Sequence, residues 1–167
     1  GRIAVQAGGR VKPLDTFARE LVAQITGKTE FHGQNPVETY FRWMSDGEAW
    51  AQEPVVYLPK GDLRAKLGLN GHKGSYFSLA ELQGASGLMA VAMEAQMRQE
   101  AGEKLTFTQT KANDLINRMQ ILSGVFAHEI PLFIPTQGGD PQATWMSISH
   151  GMTHLGDSLL SMSPEQT

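Results

Sequence analysis

The stretch Gly8-Gly9-Arg10-Val11-Lys12-Pro13-Leu14-Asp15-Thr16-Phe17-Ala18-Arg19-Glu20 combines basic residues, a proline and a helix start in one short segment. Pro13 has a fixed φ and favours an extended residue before it, while Asp15 can accept backbone N–H bonds as a helix N-cap. Apolar residues then recur at helical spacing until Gly27, a typical helix stop; they are Phe17, Leu21, Val22 and Ile25. The pattern predicts a strand or loop that leads into an amphipathic helix.

The charged side chains of this stretch allow two interpretations. Arg10 and Lys12 lie on the extended part, and Arg19 lies on or near the helix. They are either solvated charges of a structural loop, or parts of a positively charged docking surface. The residue types alone leave both interpretations open.

Together with Val5-Gln6, the stretch from Gly9 to Arg19 resembles the opening of the extracytoplasmic domain of membrane-bound, system II type cytochrome c biogenesis proteins. It is similar to a signature of that family, Gln followed by Gly-Arg-(Ile/Val)-Lys-Pro-(Leu/Phe)-Asp-Thr. The resemblance weakens after about residue 85 and so covers roughly the first half of the chain. Its further segments are Ile25-Thr26-Gly27-Lys28, Asn35-Pro36-Val37-Glu38-Thr39 with Trp43, Glu48-Ala49-Trp50 and Glu53-Pro54-Val55.

This resemblance implies a setting and a set of partners. Residues 1–167 would form a single extracytoplasmic domain excised from a longer membrane protein, on the periplasmic side and anchored through membrane helices missing from this chain. Membrane-embedded helices of the same or a partner chain would handle haem and present it to apocytochrome c. Haem is thus implied for the full-length assembly, while no cofactor and no catalytic activity are expected in this domain alone. The candidate docking residues are Arg10, Lys12, Pro13, Asp15 and Arg19.

Composition restricts the functions that the chain can have. Fourteen Lys and Arg against seventeen Asp and Glu give a net charge of −3, so the overall field does not attract nucleic acid. The chain has no cysteine, which excludes disulfides, thiolate zinc sites, thiol redox chemistry and covalent haem attachment through its own cysteines. Its longest apolar run, Leu88-Met89-Ala90-Val91-Ala92-Met93, is far shorter than the roughly 20 residues that span a bilayer.

Helix signals outnumber strand signals, and we expect an α+β domain that is predominantly helical. Asn35-Pro36-Val37-Glu38 has the cap, proline and glutamate of a helix start, and Thr106 or Thr108 begins a long helix that pairs with the helix before it. We expect five or six helices and three short extended segments that can pair into a small sheet. These segments are 54–59, 76–79 and 130–135, and the prolines of the last favour an edge or the wall of a crevice.

Methionines four residues apart mark the helix predicted over 86–101. Met89, Met93 and Met97 could be ligands of haem or a metal, or flexible packing in the core. Because methionine at helical spacing fills irregular core gaps in most proteins, we expect core packing.

The histidines supply the alternative function. His150 and His154 are spaced i, i+4, and Asp157 follows three residues later, so the three side chains could share one helix face and bind zinc or copper. Gly151 stands where a His-Glu-x-x-His motif has its glutamate, which excludes that protease motif. His128 is expected at a helix C-terminus, where a histidine complements the helix dipole.

Two classes of function remain after these exclusions. His32 and His72 lie in turn-like surroundings that offer no apolar slot for haem, and no nucleophile or phosphate-binding motif is present. The first class is a non-catalytic module that docks a partner or supports the membrane part of a cytochrome c biogenesis protein. The second is a direct haem- or metal-binding domain that uses His150 and His154 or another histidine.

Overall fold

Our computed structural model describes residues 3–135 and 144–153, and its first element is a β-hairpin. Strands β1 (Ala4–Ala7) and β2 (Arg10–Pro13) pair in antiparallel register, and Gly8 and Gly9 form the turn between them. Their φ angles of 59° and 71° are the positive values that a two-residue type I′ turn needs, and glycine adopts them without a steric penalty. Of the strand or loop predicted before the first helix, the structure has the strand.

Helix α1 (Leu14–Thr26) begins two residues earlier than the sequence predicts, and Asp15 is not its N-cap. Pro13 holds the cap position with φ −61° and ψ 143°, because its ring fixes an extended conformation before the first helical residue. Asp15 lies in the first turn, where a carboxylate is favourable for the helix dipole. The stop is as predicted: Gly27 ends the helix in the left-handed conformation, with φ 72°.

The remaining elements confirm the predominantly helical α+β class. The second helix has the predicted cap, since Asn35 Oδ1 accepts the backbone N–H of Glu38 at 2.9 Å, and Thr106 caps the longest helix in a reciprocal pair with Gln109. The described residues contain one more helix than the upper prediction, and 148–153 add a helical turn. In chain order the elements are α2 (Pro36–Ser45), α3 (Gly47–Gln52), β3 (Val56–Tyr57), α4 (Asp62–Lys66), β4 (Tyr76–Phe77), α5 (Leu79–Gln83), α6 (Leu88–Glu100) and α7 (Phe107–Phe126).

The three predicted extended segments do not join into one sheet. β3 and β4 pair with each other in antiparallel register, Val56 opposite Phe77. The third segment, 130–135, instead lies beside the hairpin, where Leu132 forms a β-bridge with Gln6. The described residues therefore form two small separate sheets, and the amino-terminal one is extended by a segment from far along the chain.

Helix α7 runs through the centre of the fold and contacts α1, α2, α3, α4 and α6. Its inward face carries Ala112, Leu115, Met119 and Leu122, which are buried. The core against it is built from large side chains of α2, β4 and α5; they include Tyr40, Trp43, Phe77 and Leu82. Among the described residues, no helix combines the length and the hydropathy needed to cross a membrane.

The expectation that the methionines of α6 pack in the core is wrong. Met89, Met93 and Met97 are 70%, 56% and 60% exposed, while Val91 and Ala95 are buried. α6 has apolar residues all around its axis, so spacing alone fits two different faces. The smaller side chains face α7 because they let the two helices approach closely.

Tyr40 gives the fold a measurable pH dependence. It is fully buried, its hydroxyl donates to Met44 Sδ at 3.2 Å, and burial raises the pKa of its phenol well above the ordinary value of about 10. Above about pH 10 the unfolded chain releases this proton while the folded chain keeps it, so the free energy of unfolding falls by up to about 1.4 kcal/mol per pH unit. We expect Tyr40→Phe to flatten this fall in urea titrations between about pH 10 and pH 11. An unchanged slope in the variant would contradict the assignment.

Candidate functional site

A cleft of about 660 Å³ lies where the hairpin, α1 and the segment 130–132 meet. Phe17 and Leu21 of α1 form an apolar wall, and Pro131 lies across from them. The backbone of Leu132 fixes the far wall, since it exchanges two hydrogen bonds of 2.9 and 3.0 Å with Gln6. The prediction that the proline-containing segment lines a crevice is therefore confirmed.

Lys12 and Glu20 are the charged pair of this cleft. Lys12 Nζ lies 2.6 Å from Glu20 Oε2, and the lysine side chain is only 23% exposed. The bond joins β2 to α1, so its first effect is to hold the hairpin against the helix. Because the carboxylate compensates the charge, Lys12 offers little free positive charge to a partner.

The other candidate docking residues lie on exposed surface. Arg19 Nη2 donates to Asp15 Oδ2 at 3.1 Å across one turn of α1, and both side chains are more than half exposed. Pro13 is exposed at the junction of β2 and α1. Arg10 is exposed at the start of β2 and has no ion pair or hydrogen bond to the described residues through its side chain. Of the predicted set, Arg10 thus keeps its charge available.

Gln6 is a central residue of this region, and the motifs of the sequence assign it no role. Its side chain is 8% exposed, and its Oε1 accepts the backbone N–H of Trp145 at 2.8 Å. Its backbone at the same time pairs with Leu132. Gln6 therefore connects the hairpin to two later parts of the chain. A polar residue within a short apolar strand is the only signal that the sequence offers for this role.

A second cleft of about 580 Å³ opens on the other side of Gln24, between the chain after β3 and helix α7. Arg118 forms part of its wall and donates from Nη1 to the carbonyl oxygen of Tyr57 at 2.8 Å. Burial lowers the pKa of Arg118, and the nearby Asp114 carboxylate counteracts this effect. The rim carries Phe107, which is 78% exposed. The guanidinium is therefore engaged in structural hydrogen bonds to the backbone.

The predicted metal site lies largely outside the described residues. His150 is exposed on the helical turn 148–153, and His154 and Asp157 fall outside the part of the chain that the structure describes. Within 3–135 and 144–153, no three side chains of His, Asp or Glu come together in a way that could hold a metal ion. The metal interpretation therefore stays a prediction.

The other histidines have local partners. His32 is exposed and its ring centroid lies 4.1 Å from that of Phe31. His72 packs on Phe77 at 4.4 Å, and its Nδ1 accepts the backbone N–H of Gly74 at 3.1 Å. His128 directly follows the C-cap of α7, as predicted, and has a left-handed backbone with φ 58°. These contacts are those of turn and packing residues.

Comparison with known proteins gives a partial match. No protein-family model matches the chain. Protein NrfI of Wolinella succinogenes is 28% identical over 79 residues, which are 47% of this chain and 9% of that protein. The chain therefore spans less than a tenth of the relative's length. A partial likeness of this size suggests at most a link to cytochrome c biogenesis. The proteins whose signature the amino-terminal stretch resembles act in the same process.

Proposed function

We propose that this chain is a non-catalytic periplasmic module of a cytochrome c biogenesis membrane protein, which docks a partner and supports the membrane part. The resemblance of the stretch from Gly9 to Arg19 and the partial likeness to Protein NrfI support the biological setting. The observation that carries the docking role is the exposed, uncompensated charge of Arg10 beside the turn of the hairpin. The hairpin itself is held by the backbone of Leu132 and by the ion pair of Lys12 with Glu20.

The hairpin is a rigid platform for this charge. The two glycines fit the turn, Lys12 joins β2 to Glu20, and Leu14 N–H donates to the carbonyl of Ile3 at 2.8 Å where the hairpin meets α1. A cation on a fixed strand loses less conformational freedom on binding than one on a flexible loop. Arg10 is therefore a suitable anchor for a carboxylate, which a guanidinium can bind through two parallel hydrogen bonds.

The partners are groups that an exposed guanidinium can bind. Carboxylates of apocytochrome c, carboxylates of the membrane part of the same or a partner chain, and haem propionates all fit Arg10. Haem belongs to the full-length assembly in this proposal, and the domain acts beside it. The chain would be anchored through membrane segments that lie outside this sequence.

We expect Arg10→Glu in the full-length protein to reduce covalently haem-bound cytochrome c at least about tenfold, as loss of a charge-assisted bond of about 1.5–3 kcal/mol would do. Haem-stained membrane fractions measure this yield. Arg10 is the right position because its replacement breaks no side-chain hydrogen bond or ion pair among the described residues, whereas a glutamate at position 12 would face Glu20.

Lys104→Glu is the matched control. Lys104 is exposed, lies in the loop between α6 and α7 and has no ion pair among the described residues, so its reversal makes the same change in net charge at a distant place. The thermal unfolding of both variants should equal that of the unmodified chain. Normal cytochrome c in Arg10→Glu, or an equal loss in Lys104→Glu, would contradict the proposed role. A saturable one-to-one hemin complex of the chain would favour direct haem binding instead.

A further inference from the structure

The hydrogen bonds of β1 determine which way the backbone of β2 points. Gln6 directs both its N–H and its C=O to Leu132, at 2.9 and 3.0 Å, and therefore away from β2. In an antiparallel pair, residues alternate between those that exchange hydrogen bonds with the opposite strand and those that do not. Val11 lies opposite Gln6 in the register, so this pair is a non-hydrogen-bonded one. The N–H and C=O of Val11 consequently point to the outer edge of β2.

This outer edge is open. Neither backbone group of Val11 has a partner among the described residues, and its side chain is 51% exposed. Pro13 follows two positions later and has no N–H to offer, which confines pairing to the segment before it. An exposed strand edge with free donors and acceptors is a template for another extended chain.

We propose that the outer edge of β2 binds an extended, acidic peptide segment, which adds to the hairpin as a further strand. The inference rests on the proposed docking function and names the kind of partner and the way it binds. One residue of the incoming segment would exchange both backbone hydrogen bonds with Val11, and its neighbours would lie opposite Arg10 and Lys12. Strand addition of this kind takes its affinity from the main chain and its specificity from the alternate side chains.

Charge decides between an acidic peptide and a second copy of this chain. If two β2 strands paired antiparallel about Val11, Arg10 of each would lie directly opposite Lys12 of the other. Such a pair would place no carboxylate of β2 opposite Arg10, and Glu20 already holds Lys12. An acidic residue of a peptide in the same position would instead face the uncompensated cation of Arg10, and opposite charges at directly opposite positions stabilise a strand pair. The chemistry of the edge therefore favours a partner with a carboxylate opposite Arg10, beside the residue that pairs with Val11.

Amide hydrogen exchange of the chain tests this inference directly. The probe is the acetylated and amidated peptide Thr-Glu-Val-Glu-Thr, with Thr-Lys-Val-Lys-Thr as its charge-reversed counterpart. We expect saturating acidic probe to slow exchange of the Val11 amide about tenfold or more, as formation of a hydrogen bond worth about 1.4 kcal/mol requires. The Arg10 and Lys12 amides already bond to β1 and should change little. The basic probe should leave all three amides unchanged.

A pair of substitutions adds a second readout. Val11→Pro removes the outward N–H at an edge position where proline is tolerated, and Val11→Thr keeps both the N–H and a β-branched side chain. With a fluorescent acidic probe, we expect anisotropy titration to show about tenfold weaker binding by Val11→Pro and near-normal binding by Val11→Thr. Thermal unfolding of both variants reports whether the hairpin is intact.

Three outcomes would overturn the inference. The first is an unchanged Val11 amide under probe concentrations that saturate the anisotropy signal. The second is equal binding by a folded Val11→Pro variant, which would mean that the cations alone attract the probe. The third is Val11 protection without probe that grows with protein concentration together with a dimer mass, which would make a second copy the occupant.

Cytochrome c yield and amide exchange together distinguish failure of the proposed docking function from failure of strand addition at the edge of β2. If cytochrome c is lost in Arg10→Glu but normal in Val11→Pro, strand addition at the edge of β2 is contradicted and the docking function still stands. If the acidic probe protects the Val11 amide but cytochrome c is normal in both variants, the docking function is contradicted and peptide binding at the edge of β2 still stands.

Discussion

Replacing Arg64 with alanine should lower the free energy of unfolding by about 4 kcal/mol, because several backbone carbonyls depend on this one side chain. Arg64 is 1% exposed. Its Nε and Nη1 donate to the carbonyls of Leu69 and Gly74 at 3.1 and 2.8 Å, and its Nη2 donates to that of His72. The guanidinium also lies 5.0 Å from the ring centroid of Phe77. Alanine would remove this donor from all three carbonyls, of which that of Leu69 keeps the backbone N–H of His72, and would leave a cavity beside the ring.

Urea titration measures this effect, and the dependence of the free energy of unfolding on urea concentration is compared between the variants. Lys66→Ala is the control, since Lys66 lies on the same helix and makes only an exposed ion pair with Glu94 at 3.7 Å. Exposed pairs contribute at most about 1 kcal/mol. Arg64→Lys should recover only part of the loss, because an ammonium group cannot reproduce the planar fork of donors. A loss in Arg64→Ala no larger than that in Lys66→Ala would show that the loop holds its shape without the arginine.

Gly87→Ala should destabilise the chain by about 3 kcal/mol, through a steric conflict alone. Gly87 has φ −85° and ψ −9°, which any residue adopts, so backbone strain plays no part. A Cβ at this position would lie 1.8 Å from the carbonyl oxygen of Lys66 and 3.0 Å from Leu67 Cα. The obstacle is backbone, which cannot turn aside as the end of a side chain can. The end of α4 and the start of α6 would therefore have to separate.

Gly84 offers a matched comparison three residues earlier. It has a similar backbone, with φ −79° and ψ −5°, but a Cβ there would meet nothing closer than the Ala80 carbonyl oxygen at 3.4 Å. Gly84→Ala should be neutral or stabilise by about 0.5 kcal/mol, since alanine has less freedom to lose on folding. Equal thermal midpoints for the two variants would contradict the close approach of the two helices.

Local signals in the sequence predicted the parts of the fold that depend on neighbouring residues. The cap at Asn35 and the stop at Gly27 are decided within a few residues, and the structure confirms both. Asp15 failed as a cap for an equally local reason: Pro13 has no N–H, fixes φ and already satisfies the geometry of the cap position. Here the sequence contained the information, and the choice between two adjacent signals was wrong.

Other features depend on contacts from far along the chain, which spacing cannot predict. Arg64 stands in a charged pattern that is typical of an exposed helix, and it is buried because a later loop turns its carbonyls toward it. Met93 is exposed because α7 packs against the smaller residues of α6. The open edge at Val11 exists because Leu132 takes the opposite edge of β1. In each case a segment distant in sequence decides whether the residue is buried or exposed, and the local pattern contains no information about that segment.

The contact between Gln6 and Trp145 has a topological consequence. It brings an early and a late position of the described chain to within one hydrogen bond of 2.8 Å. This bond closes a loop that contains most of the described chain. Closing so long a loop costs conformational entropy, which the folded chain between the two positions offsets.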